Sequence, residues 1–552
     1  MNKIKTVLIK IIISAIVLFL GYWFMLPPLN LRSVDLYTFI IFAVIAVTVI
    51  CKITGAVFSL KEVKVKAEAI DNPVKFGLGI IKNLKTGTKI SVGVVAVIVI
   101  AIIVGSVIGA EIFNASRYNK LIVMEDGDFV SEVSEISMNQ IPVVDRDTAS
   151  RLGQRKLGEM SDLVSQFEIE EHYTQINYNG KPVRVTPLRY GDLIKWFGNQ
   201  KNGVPAYIMV DMTTQETTLV RLDRGIKYSE SEYFMRDLMR KLRFTYPTKI
   251  FDEVSFEIDD QGTPYWVAST VEYKIGLFSG KDIGGAVLLN AQTGESKYYD
   301  IEEIPTWVDQ VYSADMILTQ LGYNGKYRSG WFNSVFGQKG VLQPTDGYNY
   351  LAINDDVWLY TGITSVTSDE SNVGFVLTNL RTKETRYYPV PGAEEYSAMS
   401  SAEGQVQHLA YRSTFPLLLN VADRPSYFMA LKDSAGLVKM YAFVDVQQYQ
   451  IVGTGSTVEE SRQDYLNKLK KEDVSTDENE ETLTLTATVE KVSSAVVDGN
   501  TCYYVLFSDN QKVFTLPVTL SDKLPFISAG DSITVTYKES ENEITVTAVE
   551  FN

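Results

Sequence analysis

Three long apolar runs open the chain, at about residues 7–25, 36–51 and 90–110. The third holds 21 residues without a charge, enough to cross a hydrocarbon core of about 30 Å at about 1.5 Å per helical residue. The first carries Lys10 near its start, placed to snorkel toward lipid headgroups. The second is short alone and borrows Tyr37 or Lys52 at an interface. Pro27-Pro28 and residues 29–35 join these two runs as a tight membrane hairpin. A cleaved leader fits the first run poorly, because no small-residue cleavage site follows it and two further spans do. Beyond residue 112 the pattern changes to strands rich in Val, Ile, Tyr and Phe. Helical stretches alternate with them at 148–167, 229–242, 306–321 and 394–408.

One unit recurs in this second part. An aliphatic strand ends in Asp or Asn, Thr follows three residues later and Glu five later, and a new strand begins. The instances are AYIMVDMTTQETTLVRL at Asp211, AVLLNAQTGESKYYDI at Asn290 and GFVLTNLRTKETRYYPV at Asn379. The strand half returns in MYAFVDVQQYQIV at Asp445, without the Thr and Glu. Upstream of the last three lies another hairpin, beginning at Tyr265, Val357 and Ser426. An Asp or Asn that opens a turn bonds the backbone two residues on, so turn chemistry explains the pattern in full. One Asp or Asn and one Glu per turn offer too few oxygens for a divalent ion.

The pattern predicts a membrane-anchored α+β protein with three N-terminal transmembrane helices and repeated antiparallel-sheet-plus-helix units. Residues 1–112 form the three-span region with a Lys-rich loop at 52–89. Four α+β units follow at 113–225, 226–304, 305–392 and 393–466. Residues 467–481, dense in charge, read as the end of a helix and a solvated linker. Residues 482–552 alternate apolar and polar positions over five or six short strands, as in a small all-β barrel.

Charge gives this layout a direction. The chain carries 52 Lys and Arg against 67 Asp and Glu, a net of −15. Divided at residue 112, that net becomes +7 before and −22 after. Lys3 and Lys5 precede the first run, and eight lysines from Lys52 to Lys89 crowd the loop between the second and third. The positive-inside rule therefore expects the N-terminus and this loop in the cytoplasm and everything after residue 112 outside. Within the loop, residues 73–85 mix Phe76, Leu78, Ile80 and Ile81 with lysines, as in a segment lying on an anionic leaflet or in a solvated connector. Cys51 and Cys502 then fall on opposite sides of the membrane, and no intramolecular disulfide is expected. So few cysteines in an exported region suit a bacterium, with a Gram-positive plasma membrane the expected location. The acidic total removes the basic face that a nucleic-acid partner requires.

The strand–[Asp/Asn]-x-x-Thr-x-Glu–strand unit, with a neighbouring helix, resembles PepSY-like domains over roughly residues 140–460. That resemblance implies a non-enzymatic exported module that contacts envelope proteins or restrains a protease. The C-terminal order ATVEKV…YYVLF…LPV…GDSITVTY resembles an OB-type barrel. Outside the cell and without a basic run, such a barrel is expected to contact protein or glycan.

Candidate chemistry is sparse. The only histidines are His172 and His408. In FEIEEHYTQ, strand alternation places Glu168, Glu170 and His172 on one face, the best metal candidate in the chain, or else a polar solvent face. His408 ends a helical pattern, where its charged form is favoured. Glu170/Glu171, Asp259/Asp260 and Asp355/Asp356 are paired carboxylates of the kind a glycosidase uses, though the last two lie in turns. No phosphate loop, nucleophile elbow, HExxH or Cys-x-x-Cys occurs. No catalytic residue and no cofactor are assigned. The sequence thus points to an extracytoplasmic scaffold whose partners are the lipid bilayer, envelope proteins or peptides taken up at sheet edges, and cell-wall glycan. Alternatives are a cell-wall hydrolase using clustered carboxylates and a transmembrane signal regulator acting through the 52–89 loop.

Overall fold

The computed structural model describes residues 3–57, 86–135, 141–366, 368–476, 483–497, 500–539 and 544–551. The three apolar runs form helices α1 (Lys3–Met25), α2 (Val34–Val57) and α3 (Thr86–Ile108), each long and apolar enough to cross a membrane. Many of their aliphatic side chains are exposed, among them Val7, Ile11, Ile45, Val97 and Ile103. A helix that is apolar all round finds favourable surroundings in lipid or a protein core, and these three have almost no core around them. A Cβ at Gly21 would collide with the Phe42 ring, so this glycine lets α1 and α2 approach closely. The hydroxyls of Thr48 and Ser91 meet at 2.7 Å and tie α2 to α3. The α1–α2 turn is held by backbone bonds from Asn30 to the Pro28 carbonyl and from Ser33 to the Asn30 carbonyl. Most of the Lys-rich loop, residues 58–85 with segment 73–85 inside it, lies outside the described residues.

The chain divides into two compact units, Met1–Tyr465 and Leu466–Asn552. In the first, α4 (Glu111–Asn119) continues from α3 after a two-residue break in helix at Gly109 and Ala110. Further helices are α5 (Arg146–Gly158), α6 (Leu238–Thr245), α7 (Ala314–Lys326) and α8 (Glu395–Gln405). Two of them start later than the hydrophobic pattern suggests, and a cap explains each. Asp237 accepts from the Arg240 amide at 2.8 Å, and Ser313 accepts from the Met316 amide at 3.4 Å. Such side chains satisfy amides that the first helical turn leaves open.

Among the described residues, four largely antiparallel sheets accompany these helices, with five, four, seven and five strands in chain order. The recurring hairpins are present in all four. Asp211, Asn290, Asn379 and Asp445 each accept two backbone amides, two and three residues on, at 2.7–3.0 Å. In the first three, the Thr hydroxyl also accepts the amide of the Glu two residues later, at 3.2–3.3 Å. Residues Glu125–Asp126, grouped with the first unit by sequence, add instead to the third sheet, parallel to Arg386–Tyr387. A shared core joins the second and third sheets across α7, with Val267, Leu288, Ile317, Leu321, Leu359 and Val376 buried together.

The body rests on one end of the helical bundle. Leu29 donates its amide to the Pro247 carbonyl, and Arg32 reaches the Tyr273 carbonyl at 2.9 Å. Arg243 binds the Leu26 carbonyl at 2.9 Å, while Arg240 stacks over Trp23, 4.5 Å from the ring centre. The hairpin tip at Leu277 and Phe278 reaches down α3 as far as Gly105, and Phe278 packs edge-on against Tyr37. The α1–α2 turn and the end of α3 thus lie under the same face of the body.

Helix α9 (Val458–Thr476) extends well into the stretch read as a linker, whose residues 477–481 lie outside the described residues. The second compact unit holds five strands, Leu483–Val497, Asn500–Phe507, Asn510–Pro517, Ser532–Glu539 and Ile544–Phe551. They pair in a ring that the first and fourth strands and a parallel Thr515–Thr545 contact complete. Val505, Phe507, Phe514, Leu516, Ile533 and Val535 fill its interior. Both cysteines are free.

Candidate functional site: a central cleft

Three sheets and a loop between strands of the fourth line a cleft of about 600 Å³, within the range of about 300–1,000 Å³ usual for ligand pockets. Its aromatic walls include Phe256 and Trp266 from the second sheet, Tyr312 from the loop before α7, Tyr348 and Tyr350 beside and within the third sheet, and Phe415 near the fourth. Trp266 donates its ring N–H to the Tyr228 carbonyl at 2.8 Å, which fixes its orientation. Burial raises the Tyr312 and Tyr350 hydroxyls well above their ordinary pKa, so both stay protonated donors.

At the inner wall lies Arg184, 7% exposed, in the middle of strand Lys181–Tyr190. Its Nη2 donates to Oε1 of Gln175, its cross-strand neighbour, at 3.2 Å, and its buried Nε has no partner. Among the described residues it makes no ion pair. Burial pulls its pKa down to about 10, so the guanidinium stays charged at neutral pH. Asp145, also lining the cleft, is already engaged. It caps α5 by accepting the Thr148 amide at 2.9 Å and forms an ion pair with Lys432. Although burial opposes ionisation, the bonds from Lys432 and Thr148 hold its carboxyl below the ordinary range.

The rim is acidic. Glu230, Glu253 and Asp315 are exposed and Glu170 is half-buried; none has an ion-pair partner among the described residues. Desolvation raises the pKa of Glu230, and neighbouring Glu170 adds to it while His172 opposes it.

The structure separates the three sequence candidates. Strand Phe167–Ile169 stops before Glu170, so the expected alternation does not reach His172. Glu168 pairs with its cross-strand neighbour Arg189 at 3.1 Å and lies outside the cleft. Glu170 and His172 do line it, but Nδ1 of His172 accepts from the Arg146 guanidinium at 3.2 Å, since arginine has only donors. No group of three or more His, Cys, Asp or Glu placed to hold a metal occurs among the described residues. Asp259 accepts the Gln261 and Thr263 amides, and Asp356 holds Arg381 at 2.7 Å, both away from the cleft. His408 lies in a short 3-10 turn after α8. Arg184 escaped notice, although a lone charge inside the apolar run PVRVTPL was a legible signal.

No family model matches this sequence, and no similarity to a curated protein is found.

Proposed function

We propose that the chain is a membrane-anchored extracytoplasmic binding protein of a bacterial envelope, whose central cleft holds a peptide segment of a partner. The orientation follows the lysine distribution, with the acidic body outside. The observation that carries the reading is the cleft itself: an aromatic-walled cavity lined by three sheets and a loop of the fourth, with a buried arginine on its inner wall that makes no ion pair among the described residues. Apolar walls with a few fixed polar groups are the usual form of a ligand site. The PepSY-like resemblance of the hairpin units agrees with a binding role, and the OB-like reading of the C-terminal strands adds a second contact surface.

A photo-cross-linking residue placed at Tyr348, on the cleft wall, tests this in intact cells. A discrete protein or peptide adduct is expected. Adducts only from probes on the sheet edges would move binding from the cleft to strand addition, and none from either would reject the binding role. Protease treatment of intact cells checks the orientation, since a protected body would overturn it.

One observation favours a second reading, a cell-wall hydrolase. Glu170 and Glu230 share the cleft, and Glu230 has the raised pKa of a general acid. Release of dye from labelled cell wall that disappears in Glu230→Gln would establish it.

A further inference from the structure

We infer that the cleft selects a basic peptide bearing a free carboxylate, with the carboxylate on Arg184 and the peptide's amines at the acidic rim. This rests on the cleft reading above and names the ligand class. A charge taken out of water is costly unless paired, and most buried charges in proteins have their counter-ion in place. Arg184 does not. The nearest fitting carboxylate, Asp145, is held by Lys432 and the α5 N-terminus. Gln175, the side-chain partner Arg184 has among the described residues, donates an amide N–H to the Tyr350 carbonyl and brings no charge. The missing anion must therefore enter with the ligand, and a planar guanidinium fits a carboxylate in bidentate geometry.

The rim decides between anions. Glu170, Glu230, Glu253 and Asp315 make up the acidic part of the lining, without ion pairs among the described residues, and the exposed Arg146 is the cation beside them. A phosphate, doubly charged near neutrality, would meet these carboxylates as repulsion. A carboxylate carried on a chain with amino groups satisfies both ends at once. The volume of about 600 Å³ admits a short peptide end, not a folded domain.

The test uses the full chain in nanodiscs and a fluorescently labelled Lys-Ala-Lys-Ala peptide, as free acid and as C-terminal amide, read by fluorescence polarisation. The acid is expected to bind at least tenfold more tightly than the amide, and Arg184→Met should abolish that difference. A Glu-Ala-Glu-Ala free acid should bind at least tenfold more weakly than the lysine peptide. Equal binding of acid and amide would overturn the carboxylate assignment while leaving a peptide-binding cleft in place. If neither lysine peptide binds while the photo-cross-link from Tyr348 forms, the ligand class is wrong and the cleft reading survives. The acid–amide comparison needs no variant, so a misfolded Arg184→Met does not spoil it.

A different observation carries a second proposal: we infer that an apolar collar on the body's lower face seats in the lipid interface beside the three helices. This rests on membrane insertion of α1–α3. Arg240, stacked on Trp23 near the end of α1, also binds the Phe234 carbonyl at 2.6 Å. Phe234 and Phe197 flank Trp196, and Ile194 is 79% exposed in the same short helix, Leu193–Asn199. At the end of α3, Tyr118 binds the Gly109 carbonyl at 2.8 Å. Trp331 packs on the cluster containing Tyr118, and the next turn exposes Phe332 and Phe336, the latter by 78%. Both patches are thus continuous with the outer ends of spans, where aromatic residues and basic side chains such as Arg240 favour the headgroup region.

Single cysteines at Val97, Ile194, Phe336 and Leu437, with Cys51 and Cys502 replaced by Ser, report depth through quenching of an attached fluorophore by spin-labelled lipid. Quenching is expected at 97, 194 and 336 and not at 437. Quenching at 97 with 194 and 336 as dark to lipid as 437 would overturn the collar alone. No quenching at 97 would overturn the insertion beneath it.

Discussion

Two buried charge sites a few residues apart in the fold behave in opposite ways. Glu257 and Asp309, both essentially without exposure, are surrounded by donors. Glu257 accepts the Asp309 and Gln310 amides at 2.8 and 3.0 Å and the Ser255 hydroxyl at 2.9 Å. Asp309 accepts the Asn177 amide from the first sheet at 2.7 Å and the Val357 amide from the third at 3.2 Å. The pair thereby joins three sheets through backbone donors. Arg184, on the cleft wall, has one neutral partner and an idle Nε. A buried charge surrounded by fixed donors is part of the architecture, whereas one left without a counter-ion is waiting for something. That contrast separates a structural node from a binding site where burial alone does not.

The largest expected effect breaks the node. Glu257→Ala removes the acceptor of one buried amide, one part-buried amide and the Ser255 hydroxyl, which keeps a long bond to the Gln310 carbonyl, and at about 1–3 kcal/mol for each amide such losses total about 2–4 kcal/mol after partial relaxation. Urea unfolding of the purified chain measures it. A loss below about 1 kcal/mol would show that water replaces the carboxylate and that the node is not structural.

Next comes pH. Burial pushes Glu257 from the ordinary 4.5 up to about 7. Burial, and after it the charge of Glu257, raises Asp309 as well. Between pH 4.5 and about 7 the folded state binds more protons at Glu257 than the unfolded one, so the contribution of Glu257 is full below about pH 4.5 and is lost as pH rises through about 7, and the raised Asp309 carboxyl acts in the same direction. Unfolding should therefore need less urea at pH 8 than at pH 5, and Glu257→Gln should flatten the difference. An unchanged slope in that variant would assign the pH dependence elsewhere.

What the sequence made legible follows the reach of each interaction. The turns at Asp211, Asn290 and Asn379 were readable because their bonds close within five residues. The three apolar helices were readable because length and composition define them. The helix starts at Leu238 and Ala314 were missed although Asp237 and Ser313 stood in the sequence as caps, because the hydrophobic pattern began earlier. Glu257 looked like an ordinary polar position in SFEIDD; its two amide donors lie about fifty residues further on. The cleft was invisible for the same reason, since Arg184, Tyr350 and Phe415 are far apart in sequence and meet only through the packing of separate sheets and a loop.

A smaller effect tests whether the recurring turns belong with the node or with the surface. Asn379→Ala removes the acceptor for the Arg381 and Thr382 amides and the contact with Asp356. Loss of about 1–2 kcal/mol is expected, since two amides lose a bond and one partner amide remains half-exposed. Asp211→Ala, in a more open turn, should cost about half as much, since water replaces the carboxylate there. Equal losses would mean that the Asp356–Arg381 pair beside Asn379 contributes nothing to its turn.

The smallest expected change in stability belongs to the buried cation on the cleft wall, Arg184. Replacing a buried charge that lacks a counter-ion with an apolar side chain of similar length removes a desolvation cost without orphaning many partners. Arg184→Met leaves only the Gln175 carbonyl oxygen without its donor. Its stability should therefore lie within about 1 kcal/mol of the parent, on either side, while affinity for the carboxylate ligand falls at least tenfold. The same urea titration used for Glu257→Ala reads the first quantity, and the peptide polarisation assay reads the second. A loss as large as that of Glu257→Ala would make Arg184 a second structural node, and the distinction between the two sites would fail at the residue that defines it.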